Sequence, residues 1–126
     1  MIVHLDTSVL VDAFSKPFKS RLALRALVVA EHRVAISTPV LYEWLRGPRL
    51  ESEKADQETA LPTTGAVEFD PACAQTAARL YRVVKRARGR EMDIAIAACA
   101  IEHNAALWTL NPEDFEDIPG LRLYRG

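Results

Sequence analysis

The sequence predicts an α/β fold of three layers, in which a central, mostly parallel sheet of four to five strands lies between layers of helices. Two observations support this prediction. Short apolar runs alternate along the chain with longer segments of helical periodicity, as parallel strands joined by helices require. Two helices also begin with a capping residue followed by proline, at Thr38-Pro39 and Asp70-Pro71. With 126 residues and no repeat or Gly/Ser-rich linker, the chain is expected to form a single domain over residues 1–126.

The first half of the chain opens with a short apolar run that is too short for a buried helix and suits a buried central strand. Thr7 and Ser8 supply hydroxyls that can cap the helix after it. Pro17 and Gly47-Pro48 end helical segments. The predicted elements are a strand at residues 2–5, a helix from residue 9 to near residue 17, a helix at 18–30, a strand at 34–36 and a helix from 38 to 47.

The second half begins with the acid-rich segment 50–60, which is expected to be an exposed helix or a loose connection. Asp70-Pro71 starts an amphipathic helix that runs to Gly89. The next helix is apolar around most of its circumference and is therefore expected to be buried. The predicted elements are a strand at residues 66–69, helices at 72–88 and 92–103, a strand at 106–109, a helical turn from Asn111-Pro112 to Phe115 and an edge strand at 121–124.

Composition and residue spacing bear on the possible partners, the location and the cysteine chemistry of the protein. The formal net charge is −1, so the overall charge gives no evidence for or against a nucleic-acid partner. The sequence lacks a run of roughly 18 apolar residues, which predicts no membrane association and a cytoplasmic location. Cys73 and Cys99 lack the spacing of a metal-binding pair and are expected to be buried free thiols. His4 is expected to have an ordinary structural role.

Four acidic residues follow predicted strands or begin the helices after them: Asp6, Glu43, Asp93 and Asp114. In an open parallel sheet the carboxyl ends of the strands lie along one edge, so residues far apart in sequence can meet there. Carboxylates at such short range repel one another unless cations lie between them. The sequence therefore predicts a negatively charged pocket that binds divalent metal.

Each acid also has a simpler explanation. Asp6 could cap the first helix, and Glu43 could face solvent. Asp93 lies in a first helical turn, where Glu91 is an equally good acid. Around Asp114, the side chains of Asn111 and Glu113 offer competing oxygen donors.

The candidate ligands are oxygens, which favours Mg²⁺, with Mn²⁺ as an alternative. Such ions are commonly held by a few carboxylates, by waters and by substrate phosphate. A pair of them can activate water and stabilise the leaving oxygen of a phosphodiester. The predicted chemistry is therefore metal-dependent hydrolysis of a phosphodiester bond.

The acids stand within motifs that together resemble the PIN-domain ribonucleases, and among them the VapC-type toxins of bacterial and archaeal toxin–antitoxin pairs. The resemblance covers essentially the whole chain. Its parts are Leu5-Asp6-Thr7-Ser8, the run from Ser37 through Glu43 to Gly47, Asp93-Ile94-Ala95-Ile96-Ala97-Ala98, and Thr109-Leu110-Asn111-Pro112-Glu113-Asp114-Phe115 before Ile118-Pro119-Gly120.

This resemblance implies a Mg²⁺-dependent endoribonuclease that leaves 5′-phosphate and 3′-hydroxyl ends. It implies that Asp6, Glu43 and Asp93 are acidic metal ligands and catalytic residues, and it favours Asp93 over Glu91. Asp114 is implied as the fourth acid, and Asn111 and Thr109 are implied as auxiliary polar residues. The implied partners are an RNA substrate such as tRNA or rRNA, a small cognate antitoxin and a second copy of the chain in a homodimer.

RNA needs positive charge around an acidic centre. Lys16, Arg46, Arg49 and Arg86 are the candidate RNA-binding residues, supplemented by Lys19, Arg88 and Arg90. By helical spacing Arg79, Arg82 and Arg86 share one face, although a solvated surface is the simpler interpretation of that row. Trp44 could lie in the core or border a groove for an antitoxin.

Two other functions compete with the ribonuclease. The first is a PIN-like RNA- or protein-binding module with little catalytic activity, in which the acids serve folding or grip a basic partner. The second is a phosphatase or phospho-acceptor that uses Asp6 as the nucleophile. The second is disfavoured because Ser8, rather than an acid, stands two residues after Asp6.

Overall fold

In residues 1–125, four short strands form one sheet, and six α-helices connect and cover them. The computed structural model describes residues 1–125. The strands are β1 (Ile2–Leu5), β2 (Arg33–Ala35), β3 (Ala106–Trp108) and β4 (Arg122–Leu123). The helices are α1 (Thr7–Phe14), α2 (Arg21–Val29), α3 (Thr38–Arg46), α4 (Glu51–Ala60), α5 (Pro71–Val83) and α6 (Glu91–Glu102), with 3-10 turns at Thr63–Gly65 and Pro112–Asp114.

The sheet has the strand order β2-β1-β3-β4, and every neighbouring pair is parallel. β1 is central, with Val3 opposite Val34 on one side and opposite Ala106 on the other. The prediction of an α/β fold with a parallel sheet is therefore confirmed. Because all strands run in the same direction, the residues that follow β1 and β3 lie at one edge of the sheet.

Both faces of the sheet are covered by helices. Successive side chains of a strand point to opposite faces, and Val3, His4 and Leu5 are all buried. The core continues into α1, α3 and α6, where Trp44 is completely buried. The indole N–H of Trp44 donates to Oε1 of Gln57 in α4 at 3.3 Å, so Trp44 belongs to the core.

Most predicted elements form, but one predicted strand is missing, one helix ends early, and α2 begins at Arg21 rather than Phe18. The strand predicted at residues 66–69 is reduced to one parallel bridge between Ser37 and Val67. The helix predicted to run through Arg88 ends at Val83, and Arg86 has a left-handed backbone with φ of 55°. Gly89, with φ of 87°, follows this irregular segment rather than the helix end.

Several local predictions are confirmed. Asp70 caps α5 by accepting a hydrogen bond from the Cys73 amide at 2.9 Å. The acid-rich segment forms a helix, α4, and both cysteines are buried free thiols. Within residues 1–125, no helix combines the length and apolar character needed to cross a bilayer.

Candidate metal centre

Asp6 lies at the junction where β1 becomes α1, at the centre of the sheet edge. Its backbone N–H donates to the Trp108 carbonyl at 2.8 Å, which ties it to the end of β3. Asp6 occupies the N-cap position of α1, but its side chain makes no capping hydrogen bond. The carboxylate is therefore free to interact across the sheet edge.

Two hydroxyl groups hold the Asp6 carboxylate from one side. Ser8 Oγ donates to Asp6 Oδ2 at 2.8 Å, and Thr109 Oγ1 donates to the same oxygen at 2.7 Å. Ser8 Oγ in turn accepts from the Leu110 amide at 3.0 Å. Both donors engage Oδ2, so the orientation of Asp6 is fixed while Oδ1 remains available to a ligand. Asp6 is 6% exposed, which makes these contacts more valuable than in water.

Glu43 projects from the second turn of α3 towards α1. Thr7 donates its hydroxyl to Glu43 Oε1 at 2.6 Å, and Arg46 approaches Oε2 at 3.5 Å. The Glu43 side chain is 19% exposed. Glu43 is therefore partly buried and directed at the α1 terminus, not at open solvent.

Asp93 lies in the first turn of α6, where its side chain is partly buried. Its pKa is raised from the ordinary 3.8 to about 6. Burial is the largest cause. The negative charges of Asp6, Asp114 and Glu43 raise the pKa in the same sense, in that order, while Arg90 opposes them. Asp6, Asp114 and Glu43 are consequently all close enough to influence Asp93.

Asp114 ends the 3-10 turn that follows β3, and its side chain lies in the exposed part of the edge. Its backbone carbonyl accepts from Arg90 at 2.9 Å. Arg90 also makes a bidentate pair with Asp117, at 2.9 and 2.7 Å. The Arg90 guanidinium holds the pKa of Asp117 below its usual range. Arg90 thus ties the turn that carries Asp114 to the start of α6.

The chemistry of this donor set fits a hard divalent cation, because carboxylates from three other elements lie near enough to Asp93 to raise its pKa. A cation would remove the repulsion that raises the pKa of Asp93. In the conformation that residues 1–125 adopt, no three or more His, Cys, Asp or Glu side chains approach closely enough to hold an ion together. A bound cation would offset the like-charge repulsion among these acids.

The auxiliary residues differ in their roles. Thr109 is buried beside Asp6, and its hydroxyl also accepts from the Asn111 amide at 3.0 Å. The Asn111 side chain is exposed. Glu91, the competitor of Asp93, is also exposed. Asp93 is therefore the acid at this helix end that faces the other three.

The predicted RNA-binding residues do not all remain available. Arg46 is exposed beside Glu43, and Lys16 is exposed in the loop after α1. Arg49 instead donates to the Trp44 carbonyl at 2.9 Å and lies over the Trp44 ring. Arg86 lies beyond the end of α5, so it does not share a helical face with Arg79 and Arg82.

The sequence analysis did not predict that the Thr7 and Ser8 hydroxyls bind the acids of the site. Thr7 and Ser8 were expected to cap α1, but they hold Glu43 and Asp6 instead. A detectable signal was present, since both hydroxyls directly follow an acid at a strand end. The link between Arg90 and Asp117 has no comparable signal, because the two residues are 27 positions apart.

The parallel sheet and the acids at its edge define an α/β protein with a candidate metal centre. The PIN domain family model matches residues 3–121, and the chain belongs to this family. No curated protein is significantly similar to the chain.

Solved structures share the fold over nearly the whole chain. One is a chain of VapBC2 from Rickettsia felis bound to a DNA fragment from the promoter, with 25% identity, 98% coverage of both chains and a TM-score of 0.74. A toxin–antitoxin complex from Klebsiella pneumoniae matches with 26% identity, 94% coverage of both chains and a TM-score of 0.72. DNA-bound VapBC from Salmonella typhimurium matches in fold, with 24% identity, coverage of 98% of this chain and 97% of that chain, and a TM-score of 0.76.

Proposed function

We propose that this chain is a metal-dependent endoribonuclease whose catalytic and metal-binding residues are Asp6, Glu43, Asp93 and Asp114. One observation carries the proposal: the pKa of Asp93 is raised by burial and by the charges of the three other acids. An acid whose charge is opposed by three neighbouring carboxylates favours the binding of a cation at this sheet edge. Membership of the PIN domain family supports the same chemistry.

The residues of the candidate metal centre have different proposed roles. Asp6 and Asp93 are the central ligands, with Asp6 held by Ser8 and Thr109. Glu43, fixed by Thr7, and Asp114 complete the set, and Asn111 is an auxiliary polar contact. Mg²⁺ is the proposed ion, with Mn²⁺ as a substitute. When bound, such ions activate water and neutralise the charge that develops on a phosphodiester.

The substrate is RNA, and cleavage leaves 5′-phosphate and 3′-hydroxyl ends. An acidic centre attracts RNA only if cations and metal offset its charge. Arg46 and Lys16 are the exposed basic side chains that we assign to this task. Arg46 lies 3.5 Å from Glu43, where it is placed to contact phosphate at the mouth of the centre.

The biological role that we propose is the toxin of a type II toxin–antitoxin system. The support is the similarity to chains in toxin–antitoxin complexes over nearly the whole length. The partners are then a small antitoxin and a second copy of the chain, and the cytoplasm is the expected location. Induction in a bacterial host should arrest growth, and Asp93→Asn should abolish the arrest at equal protein level.

The biochemical test measures cleavage of purified tRNA and rRNA by the full chain with Mg²⁺, with Mn²⁺ and with a chelator. We expect discrete cleavage that depends on metal and falls at least about 100-fold in Asp6→Asn and Asp93→Asn. Glu91→Gln is the matched control, since it removes an exposed acid from the same helical turn as Asp93. It should retain activity.

The binding module is the outcome that would replace this proposal. It predicts that RNA binds without metal-dependent cleavage, and that Asp93→Asn binds RNA as well as the original chain does. Circular dichroism must show that each variant is folded before its activity is compared. Equal cleavage by folded Asp93→Asn and by Glu91→Gln would refute the assignment of the centre.

A further inference from the structure

A second feature of the same sheet edge is a cavity at the carboxyl ends of β3 and β4. Its volume is about 360 Å³. It is lined by Trp108, Thr109, Pro112, Leu123, Tyr124 and Arg125. No acidic residue lines it, although the acidic centre is adjacent. The cavity therefore differs chemically from the metal centre beside it.

Two aromatic rings dominate the wall. Trp108 and Tyr124 meet edge to face, with ring centroids 5.8 Å apart and an interplanar angle of 65°. In such a contact each ring keeps at least one face that the other ring does not cover. Both residues are partly buried against the core, so the rings are supported and also reach the surface. This arrangement leaves aromatic ring faces on which a planar ligand could stack.

Arg125 supplies the positive charge at the rim. Its nearest acidic partner is Glu116, at 3.5 Å, and the two side chains are 65% and 56% exposed. An exposed ion pair of this kind contributes little free energy. Arg125 can therefore exchange Glu116 for a phosphate at small cost, and a guanidinium suits phosphate geometry.

Thr109 joins the cavity to the acids. It lines the cavity, and its hydroxyl donates to Asp6 Oδ2 at 2.7 Å. The carbonyl of Trp108, the last residue of β3, accepts a hydrogen bond from the Asp6 amide at 2.8 Å. A ligand in the cavity consequently lies next to whatever occupies the metal centre.

We propose that this cavity binds one unpaired nucleotide of the RNA, next to the phosphodiester that is cleaved. The base lies against Trp108 and Tyr124, and Arg125 contacts a flanking phosphate. Stacking on aromatic side chains accepts any base and requires the base to be unpaired. The inference rests on the proposed ribonuclease function, and it adds the place in the fold where a base next to the cleaved bond is held.

Fluorescence gives a direct test without metal. Trp44 is completely buried, so a change in tryptophan emission on adding a ligand reports on Trp108. The probe is a short single-stranded 2′-O-methyl RNA oligonucleotide, which is added to the full chain in the presence of a chelator. We expect saturable quenching, and markedly weaker quenching by the same sequence in a duplex. Absence of quenching would overturn the proposal.

Variants with matched controls locate the binding. Tyr124→Leu should weaken the affinity roughly 10-fold, and Tyr124→Phe should preserve it. Tyr81→Leu removes a partly exposed tyrosine from α5, outside the cavity, and should have no effect. Equal affinities for Tyr124→Leu and Tyr81→Leu would contradict the inference.

Arg125→Gln keeps the test decisive if Tyr124→Leu fails to fold, because Arg125 is largely exposed. It should weaken binding and reduce the dependence of the affinity on salt, whereas Arg79→Gln on α5 should do neither. Failure of this inference is distinguishable from failure of the proposed function. Metal-dependent cleavage without quenching rejects the cavity alone, and quenching that requires Tyr124 without cleavage rejects the nuclease alone.

Discussion

Two buried polar residues, His4 within strand β1 and Asp6 directly after it, have very different surroundings. Asp6 receives hydroxyl donors from Ser8 and Thr109. Neither ring nitrogen of His4 has a hydrogen-bond partner within residues 1–125, and its ring lies 5.8 Å from that of His103. The strand end is thus organised around a charged group, whereas the strand interior accommodates a polar ring only in its neutral form.

Burial acts in opposite directions on the ionisable groups of the two regions. It is the main cause that lowers the pKa of His4 from 6.5 to about 4 and raises the pKa of Asp93 from 3.8 to about 6. In each case the charged form is disfavoured. The difference is that Asp93 has acidic neighbours with which it could share a cation. A bound cation would offset the free-energy cost of burying the Asp93 charge.

The largest expected effect is on the pH dependence of the free energy of unfolding, measured without metal. His4 has a lowered pKa, so its contribution is complete above pH 6.5 and is lost as the pH falls towards 4. The difference corresponds to about 3 kcal/mol. Asp93 has a raised pKa, so the fold loses stability as the pH rises from 3.8 to 6, by less than about 3 kcal/mol because solvent screens the partly exposed group.

Single variants separate these two opposed contributions. In urea titrations between pH 4 and 6, Asp93→Asn should leave the His4 contribution, so its stability should rise steeply with pH. His4→Leu should leave the Asp93 contribution, so its stability should fall with pH. Identical pH profiles for both variants would show that the two regions do not differ in the way described.

The next effect concerns the hydroxyl that orients Asp6. Ser8→Ala removes one of two donors to Oδ2 and the acceptor of the Leu110 amide, and it should weaken Mn²⁺ binding by roughly 10-fold. Isothermal titration calorimetry measures this affinity directly. Ser8→Thr retains the hydroxyl and should retain most of the affinity. If Ser8→Ala binds Mn²⁺ normally, Ser8 does not position Asp6.

The smallest effect is expected at Arg90. Arg90→Gln loses the partly exposed bidentate contact with Asp117 and the hydrogen bond to the Asp114 carbonyl, for a cost of about 1 kcal/mol in thermal unfolding. It also removes a positive charge that lowers the pKa of Asp93, so that pKa should rise further. Arg79→Gln is the matched control on α5. A lower Asp93 pKa in Arg90→Gln would contradict the electrostatic description of the edge.

The sequence was sufficient for the parts of the fold that local patterns determine. The apolar run of β1 and the Asp70-Pro71 helix start have local causes, and both form as predicted. The helix predicted from Thr38-Pro39 also forms, but its N-cap is Ser37 rather than Thr38. The end of α5 does not form as predicted, because residues 84–88 retain helical composition while Val84 takes an extended backbone and Arg86 a left-handed one.

The candidate site likewise combines features that the sequence predicts with contacts that it does not. The positions of the acids after strands predicted that they would meet, since parallel topology collects strand ends. The sequence did not predict which oxygen of Asp6 is engaged, because Thr109 is 103 residues away. Nor did it predict that Arg49 donates to the Trp44 carbonyl, because that hydrogen bond depends on how the segment after α3 folds back.

The convergence of the four acids is tested most directly by measuring the Asp93 carboxyl pKa with carbon-detected NMR, with and without Mg²⁺. We predict a pKa of about 6 without metal, a lower value in Asp6→Asn, and a marked fall when Mg²⁺ is added to the original chain. An Asp93 pKa near 3.8 that responds to neither Asp6→Asn nor Mg²⁺ would contradict a shared metal centre.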